Sequence, residues 1–441
     1  MKPQKASKMV RVVSEDGVGY SVVELSGTSH IYAAAVPRND GSLVEQTRDA
    51  LRTIEDVIDH EGQHGQIVQQ AVFLRDAAQW ETCRSIIRDF YGREMPATTF
   101  ILQPPCSEKL VSIEALGVGR AEQQVQIERL GEGLVVTRHN GVSWYHCSQI
   151  MPSQESGSVY DGSLEAFKKM SDMLASQGVG MDQVIRTWLY LGDIVGPEGD
   201  TQRYKELNRA RTDFFRDIDF GAGRLAEGFR GRMFPASTGI GTSDRNIVMS
   251  CIAVDAAPGE VLLMPLENPQ QTAAFDYNIQ YGPESPKFCR AMAFASGKCA
   301  TIFISGTASI TDSETRWIGD VEKQTHQTLD NIEALIGEEN FRRHGWPGFG
   351  TKLDDLAHLR VYIKHPQDYQ RTRSVCEERL GLVPTVYAVG DVCRDDLLVE
   401  IEGVAFSTRC TKAAASHPLR PRAAHSPRPL HHRETVTQAA T

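Results

Sequence analysis

The chain has 441 residues, a formal net charge of −10 and a sequence pI near 5.8. This length is enough for two to four domains with a substantial core. The acidic balance argues against a general nucleic-acid-binding protein. The sequence contains no run of about 18 apolar residues, so no membrane span is predicted. The basic N-terminus lacks the apolar segment of a secretory signal.

The cysteines indicate a reducing compartment and no metal centre. Nine of them are scattered singly, without a CxxC pair or a Cys/His cluster. Because the ligands of structural zinc sites recur at short fixed spacings, the sequence predicts no structural zinc. Unpaired cysteines are typical of cytoplasmic proteins, so we expect reduced thiols in the cytoplasm.

The first and last thirds of the chain share one order of predicted elements. Each has a strand ending in Ser-Gly-Thr, an amphipathic helix, a strand, a second helix and, after a proline, two more strands. The Ser-Gly-Thr corners begin at Ser26 and Ser305, and the predicted helices cover 45–62, 77–92, 322–337 and 366–381. Agreement at so many points indicates an internal repeat.

The middle third carries a looser copy of the same order. Its predicted helices cover 161–178 and 201–217, and Pro235 precedes its closing strands. We predict an α/β (α+β) protein of tandem units, each a mixed sheet packed with two helices. The predicted bounds are 1–17 for a leader, 18–128, 129–260 and 261–406 for the units, and 407–441 for a tail, with a linker at 260–272. The tail is rich in Pro, Ala, Arg and His without periodicity, which predicts disorder.

An acidic pair marks the end of the third unit. The stretch 384–406 is predicted to form a strand, a turn at 393–396 and a second strand. Period-two alternation places Glu400 and Glu402 on one otherwise apolar face, roughly 6.5–7 Å apart. Beside a poorly solvated cleft, such a pair would retain one proton near neutral pH. An edge strand with two solvated glutamates explains the same pattern.

Residues 18–406 resemble the RidA/YjgF family. The resemblance rests on the Ser-Gly-Thr corners, the helices after them, the Pro-led closing hairpin and the ending VEIEGVA. That family has a βα fold resembling chorismate mutase and forms homotrimers with active sites between subunits. The resemblance therefore implies an intrachain pseudo-trimer. In the third unit, ENPQQTAAFDYNIQYGPESPKFCRA, ISGTASI and VCRDDLLVEIEGVAF resemble the chorismatases, which hydrolyse chorismate to pyruvate and a dihydroxycyclohexadienoate or a hydroxybenzoate.

The resemblance also implies one catalytic residue. Glu400 matches the glutamate that the family uses in its last strand. The position of the family's carboxylate-binding arginine is Val386 here, so the pair that serves RidA deaminases is broken. The first two units lack the acid, although Glu114 matches Glu402, and they are interpreted as structural copies. One competent cleft is therefore expected.

Four residues of the third unit are candidates for substrate binding. Arg290 and Arg394 could bind a carboxylate, because guanidinium binds carboxylate bidentately. Tyr281 could hydrogen-bond substrate, and Gly306 could allow a ligand to approach the backbone. The alternatives are an exposed arginine, a turn arginine paired with a neighbouring aspartate, an aromatic cap on the core and an ordinary strand-end glycine.

Three functions remain open. In the first, a hydrolase of the chorismatase type uses Glu400 to protonate a small carboxylated enol ether, and water attacks the cation without a metal or redox cofactor. The others are a RidA-type enamine or imine deaminase and an inactive module that binds small metabolites. An arginine within reach of Glu400 would favour the enzyme. The expected partner is a small carboxylated metabolite, neither membrane nor nucleic acid, and the pseudo-trimer is expected to be monomeric.

Overall fold

The structure is a computed structural model that describes residues 9–14, 18–60, 65–120, 125–153, 157–226 and 229–408. Most of the predicted leader and the predicted tail from residue 409 onward lie outside the described residues. The helices are α1 (Leu43–His60), α2 (Trp80–Tyr91), α3 (Val159–Ala175), α4 (Arg203–Phe215), α5 (Val321–Ile336), α6 (Glu338–Arg343) and α7 (Tyr369–Leu380). No helix of this part of the chain is long and apolar enough to cross a membrane.

The strands form three six-stranded sheets and two short hairpins. The first sheet contains β1 (Met9–Val13), β2 (Val18–Leu25), β3 (Thr28–Ala35), β4 (Gln66–Leu74), β5 (Ala97–Ile101) and β6 (Val111–Arg120). The second sheet contains β7 (Gln126–Arg129), β8 (Leu134–His139), β9 (Val142–Ile150), β10 (Val184–Gly192), β13 (Ala236–Thr242) and β14 (Ile247–Ala256), and β11 (Pro197–Glu198) pairs with β12 (Thr201–Gln202). The third sheet contains β15 (Val261–Leu266), β16 (Ala291–Ser296), β17 (Cys299–Ala308), β20 (Leu356–Ile363), β21 (Thr385–Val389) and β22 (Val399–Thr408), and β18 (Ile310–Thr311) pairs with β19 (Glu314–Thr315).

The three large sheets have one topology. Their strand orders are β1-β2-β3-β6-β4-β5, β7-β8-β9-β14-β10-β13 and β15-β16-β17-β22-β20-β21. In each, the last two strands are parallel and joined through a helix, and the rest of the sheet is antiparallel. The predicted fold class of tandem mixed sheets, each packed with two helices, is thereby confirmed.

The sheets close into a ring because the same two strand positions meet at every interface. Strand β5 packs against β9, β13 against β17, and β21 against β3. At the first of these contacts the Phe100 amide donates to Gln149 Oε1 at 2.8 Å, and at the second the Ser237 amide donates to Ser305 Oγ at 2.9 Å. Each unit thus contacts both others around a pseudo-threefold axis.

Four predicted boundaries differ from the structure. Strand β1 lies inside the predicted leader, where alternating Met9–Val13 pairs with β2 in the first sheet. Strand β7 straddles residue 128 and belongs wholly to the second sheet. The predicted linker contains β15, and β22 runs to Thr408 into the predicted tail. Short edge strands have too few residues for their alternation to be distinguished from loops.

Two predicted local structures are wrong. Ser26 and Gly27 form the turn between β2 and β3, with φ of 50° and 85°, whereas Ser305 and Gly306 lie within β17 at a register shift. The two Ser-Gly-Thr corners therefore occupy different places in their units. The closing strands also form no hairpin, because β20 lies between β21 and β22. A helical crossover makes β21 parallel to β20, and local sequence cannot reveal this pairing.

Candidate active site

A cavity of about 440 Å³ lies between the second and third units. The second unit lines it with α4 and β13, and the third with the segment 277–290, β17, β22 and the loop 393–397. All five residues predicted for the site border it: Glu400, Arg290, Tyr281, Gly306 and Arg394. Residues far apart in sequence thus converge on one cavity.

Glu400 is a buried carboxyl at the floor of this cavity. It lies on β22 opposite Ala308 of β17 and Tyr362 of β20, and it is 5% exposed. Burial, followed by the charge of Glu402, raises its pKa to about 8, although Arg186 and Arg290 oppose this shift. Glu400 therefore carries a proton at neutral pH, and its carboxyl group borders the cavity.

Glu402, two residues along the same strand, has the opposite environment. Its carboxylate accepts from Arg186 Nη2, Trp188 Nε1 (2.9 Å), Thr238 Oγ1 and Tyr362 Oη (3.1 Å), and Arg360 Nη1 lies 3.2 Å from it. Two guanidinium groups and three neutral donors stabilise a buried carboxylate. The predicted shared face is correct, and the two acids on it have different roles.

Gly306 is where the backbone of β17 passes Glu400. A Cβ at this position would lie 2.0 Å from Glu400 Oε1 and 3.1 Å from Thr238 Cγ2. The Gly306 amide donates to Thr238 Oγ1 at 3.0 Å. Any side chain here would displace the Glu400 carboxyl, so this glycine is explained by close approach rather than by the end of a strand.

Arg290 is buried, with 3% exposure, so the alternative of an exposed arginine does not hold. Its Nη2 donates to the Thr272 carbonyl at 3.0 Å and to Tyr277 Oη at 2.5 Å. Its Nε is buried without a hydrogen-bond partner among the described residues. One end of the guanidinium is therefore fixed while the group borders the cavity, which suits a carboxylate clamp.

Arg394 and Tyr281 form one wall. The Arg394 guanidinium lies 4.2 Å from the centroid of the Tyr281 ring and 5.3 Å from that of Tyr277. Arg394 Nη1 donates to the Ser313 carbonyl at 2.8 Å, and Tyr281 Oη donates to Glu314. Arg394 is thus stacked on aromatic rings rather than paired with a neighbouring aspartate. Its Nη2 is buried without a hydrogen-bond partner among the described residues.

The second unit supplies part of the site, although the sequence had indicated only a structural copy. Tyr204, Asn208 and Arg211 of α4 all line the cavity. Arg211 is 2% exposed, its Nη2 donates to Asn208 Oδ1 at 2.5 Å, and its Nε has no partner in the described structure. Together with Arg290 and Arg394, Arg211 gives the cavity three guanidinium groups.

Two signals in the sequence could have revealed these residues. Tyr204, Asn208 and Arg211 follow the spacing i, i+4, i+7, which places polar groups on one face of a helix. Arg186 interrupts the fully buried strand β10, and a buried charge requires a partner. Neither signal indicates which other unit provides that partner.

Cys393 also borders the cavity, and burial, followed by the charge of Glu400, raises its pKa to about 12. A thiol is a poor nucleophile under these conditions. Within the ranges that the structure describes, no group of three His, Cys, Asp or Glu side chains is arranged to hold a metal ion. The chemistry available to the protein's own groups is therefore proton transfer beside three arginines.

This fold and site define a class of protein: a chain of RidA/YjgF-type units with a proton-bearing glutamate in an interunit cleft. Residues 118–253 match the family model "Chorismatase FkbO/Hyg5-like, N-terminal". The chain is 34% identical over 275 residues to a chorismatase of Streptomyces rapamycinicus, covering 60% of this chain and 77% of that protein. It is 32% identical over 276 residues to a 3-hydroxybenzoate synthase of Streptomyces hygroscopicus, covering 61% and 75% respectively.

The chain belongs to the chorismatase family. A crystal structure of a chorismatase has the same fold, with a TM-score of 0.62 at 24% identity, covering 87% of this chain and all of that one.

Proposed function

We propose that this protein hydrolyses the enol ether of chorismate and releases pyruvate. The observation that carries the proposal is Glu400, a buried carboxyl that holds its proton at neutral pH beside a cavity with three arginines. Curated relatives named chorismatase and 3-hydroxybenzoate synthase support the choice of substrate.

The first step is a proton transfer to carbon. Glu400 gives its proton to the terminal methylene of the enolpyruvyl group, and the positive charge develops on the ether carbon. The resulting Glu400 carboxylate lies near this cation and stabilises it electrostatically. Arg186 and Arg290, which act against the raised pKa of Glu400, make the loss of the proton feasible.

The arginines match the charge of the substrate. Chorismate carries two carboxylates, and Arg290 and Arg211 each border the cavity with an unpaired Nε among the described residues. Arg394 borders it beside the tyrosines. Charge-assisted hydrogen bonds to carboxylates contribute about 1.5–3 kcal/mol each, so two clamps would fix the enol ether relative to Glu400.

The two product types differ in their balance of water. Water adding to the cation gives a hemiketal, which collapses to pyruvate and a dihydroxycyclohexadienoate with net consumption of one water. Formation of a hydroxybenzoate and pyruvate instead involves no net water, because the ring loses its ether oxygen or hydroxyl and becomes aromatic. Chromatography of the ring product distinguishes the two, and pyruvate is common to both.

The test is a pyruvate assay on the purified chain and its Glu400→Gln variant. Gln keeps the shape but has no proton to transfer, so we expect kcat to fall by about 10²–10⁴-fold. Glu24→Gln, an exposed position on β2 that is not among the residues lining the cavity, is the matched control and should retain full activity. Equal turnover by wild type and Glu400→Gln would refute the role of this acid, and absence of pyruvate from wild type would refute the substrate.

The two other functions have less support. The RidA-type deaminase needs an arginine where Val386 stands, and Val386 is buried on β21 away from the residues that line the cavity. An inactive binding module predicts no arginine near Glu400, whereas Arg186 and Arg290 both act on it. We further propose that the enzyme is a cytoplasmic monomer whose partner is a small carboxylated metabolite, since one chain already supplies three units.

A further inference from the structure

The first unit contributes no residue of the described chain to the cavity, but it is connected to the site by buried charges. Glu114 of β6 accepts two hydrogen bonds from Arg360 of β20, one of them from Nη2 at 2.8 Å. Arg360 Nη1 lies 3.2 Å from Glu402 Oε1, and Glu402 in turn accepts from Arg186 Nη2. A chain of four alternating charges therefore crosses all three units.

This chain is buried along its length. The side chains of Arg360, Glu402 and Arg186 are 7%, 4% and 2% exposed, and that of Glu114 is 18% exposed. In such surroundings charges interact strongly, and removing one member leaves its partner uncompensated. Two members of this row of charges act on Glu400: the charge of Glu402 helps Glu400 to keep its proton, and that of Arg186 opposes it.

We propose that Glu114 is a positioning residue for the reaction: by holding Arg360 between two carboxylates, it limits the positive charge that reaches Glu402 and so keeps Glu400 in its proton-bearing form. The proposal rests on the proposed function of Glu400. It assigns a role to a unit that has no side chain in the cavity.

The groups around both acids determine the sign of the effect. Those facing Glu114 are Arg360 and His358 of β20, Arg186 and Tyr190 of β10, and Tyr32 of β3. Those acting on Glu400 are Glu402 of its own strand, Arg186 of β10, Arg290, Cys393 and Tyr204 of α4. Without the charge of Glu114, Arg360 would act on Glu402 alone, and the field that retains the proton of Glu400 would weaken.

The first experiment compares pH profiles of kcat. Wild-type activity requires protonated Glu400 and should fall as pH rises. In Glu114→Gln we expect the midpoint of this fall to move down by roughly one pH unit. Glu114→Asp should lie closer to wild type, and Glu24→Gln should coincide with it. A Glu114→Gln enzyme that is slower at every pH with an unchanged midpoint would overturn the proposal, since a merely structural role predicts that result.

A second variant tests whether the effect of Glu114 passes through Arg360. Glu114→Gln/Arg360→Gln removes one charge of each sign, so its midpoint should lie above that of the single variant. A midpoint equal to or below that of the single variant would contradict the proposed role of Arg360. KM should change less than kcat in both variants, because neither residue lines the cavity.

A third measurement needs no turnover. Infrared spectroscopy can follow the band of a protonated carboxyl, assigned to Glu400 by its loss in Glu400→Gln. In Glu114→Gln this band should disappear at lower pH than in wild type, and an unchanged titration would overturn the proposal. If wild type released no pyruvate, the proposed function would fail while this titration still tested the coupling, so the two failures are distinguishable.

Discussion

At the scale of single residues, the site depends on two glutamates of one strand that differ only in their neighbours. Glu402 accepts hydrogen bonds from four side chains, whereas Glu400 is buried at the border of the cavity. Burial of an unpaired acid favours its neutral form, and pairing favours the charged form. One acid can therefore donate a proton while the other holds a charge beside it.

This arrangement should reduce stability at neutral pH. In the unfolded chain Glu400 titrates near its ordinary value of 4.5, and in the folded protein at about 8. Between these values the unfolded state releases a proton that the folded state keeps, so stability falls as pH rises and levels off above about 8. Gln cannot ionise, so we expect Glu400→Gln to melt a few degrees above wild type at pH 8 and at the same temperature below pH 4.5.

Thermal melting of both proteins across this pH range checks the expectation. Glu24→Gln, at an exposed position on β2, serves as the control for a glutamate-to-glutamine change outside the site. A difference in Tm between Glu400→Gln and wild type that stays constant from pH 4 to 9 would contradict the assigned titration of Glu400.

The sequence allowed these two acids to be identified but not their partners. Alternation along one strand predicts that Glu400 and Glu402 share a face. The donors to Glu402 lie on β10, β13 and β20, at sequence distances of up to 216 residues. Such contacts depend on how units pack, which no local pattern encodes. The same limit explains why Arg290 and Gly306 were predicted only with an alternative beside each.

At the scale of elements, α4 links the second unit to the site. The repeated order of elements predicted a helix at 201–217, but in a unit interpreted as a structural copy. Its face with Tyr204, Asn208 and Arg211 borders the cavity, and its other side packs on α3. Helices and long strands were predictable from periodicity. The parallel pairing of the closing strands and the existence of the short edge strands were not predictable, because both depend on tertiary contacts.

Two arginines of α4 provide a matched test of the clamp. Arg211 is buried at the cavity, whereas Arg209 is about half exposed, pairs with Glu206 and lies 4.0 Å from the ring centroid of Tyr160. We expect Arg211→Ala to raise KM for chorismate by about 10- to 100-fold, the equivalent of one charge-assisted hydrogen bond. Arg209→Ala should change KM less than about twofold. Equal effects of the two substitutions would show that general charge, not the cavity position of Arg211, binds the substrate.

At the scale of the whole molecule, the units share their cores. One hydrophobic cluster includes Phe73 of the first unit, Phe167 of the second and Phe294 of the third. In a homotrimer of RidA-type subunits, each sheet would contact another chain. Here the sheet of each unit contacts the next unit of the same chain. The ring therefore explains how one unit can bear the acid, another the arginine helix and the third only a distant charge.

Shared cores imply that the units unfold together. Trp144 of β9 is 8% exposed, and its ring lies 4.7 Å from that of Phe294 and 6.4 Å from that of His30, so it contacts all three units. Trp144→Ala should reduce the free energy of unfolding by about 3–5 kcal/mol. In calorimetry we expect a single unfolding transition, and this substitution should move the whole of it to lower temperature. Trp317, which is 52% exposed, is the control, and Trp317→Ala should change stability by less than about 0.5 kcal/mol. Separate transitions, with only one displaced by Trp144→Ala, would mean that the units unfold as independent domains. The charges that link Glu114 to Glu400 would then not be held in a fixed arrangement between units.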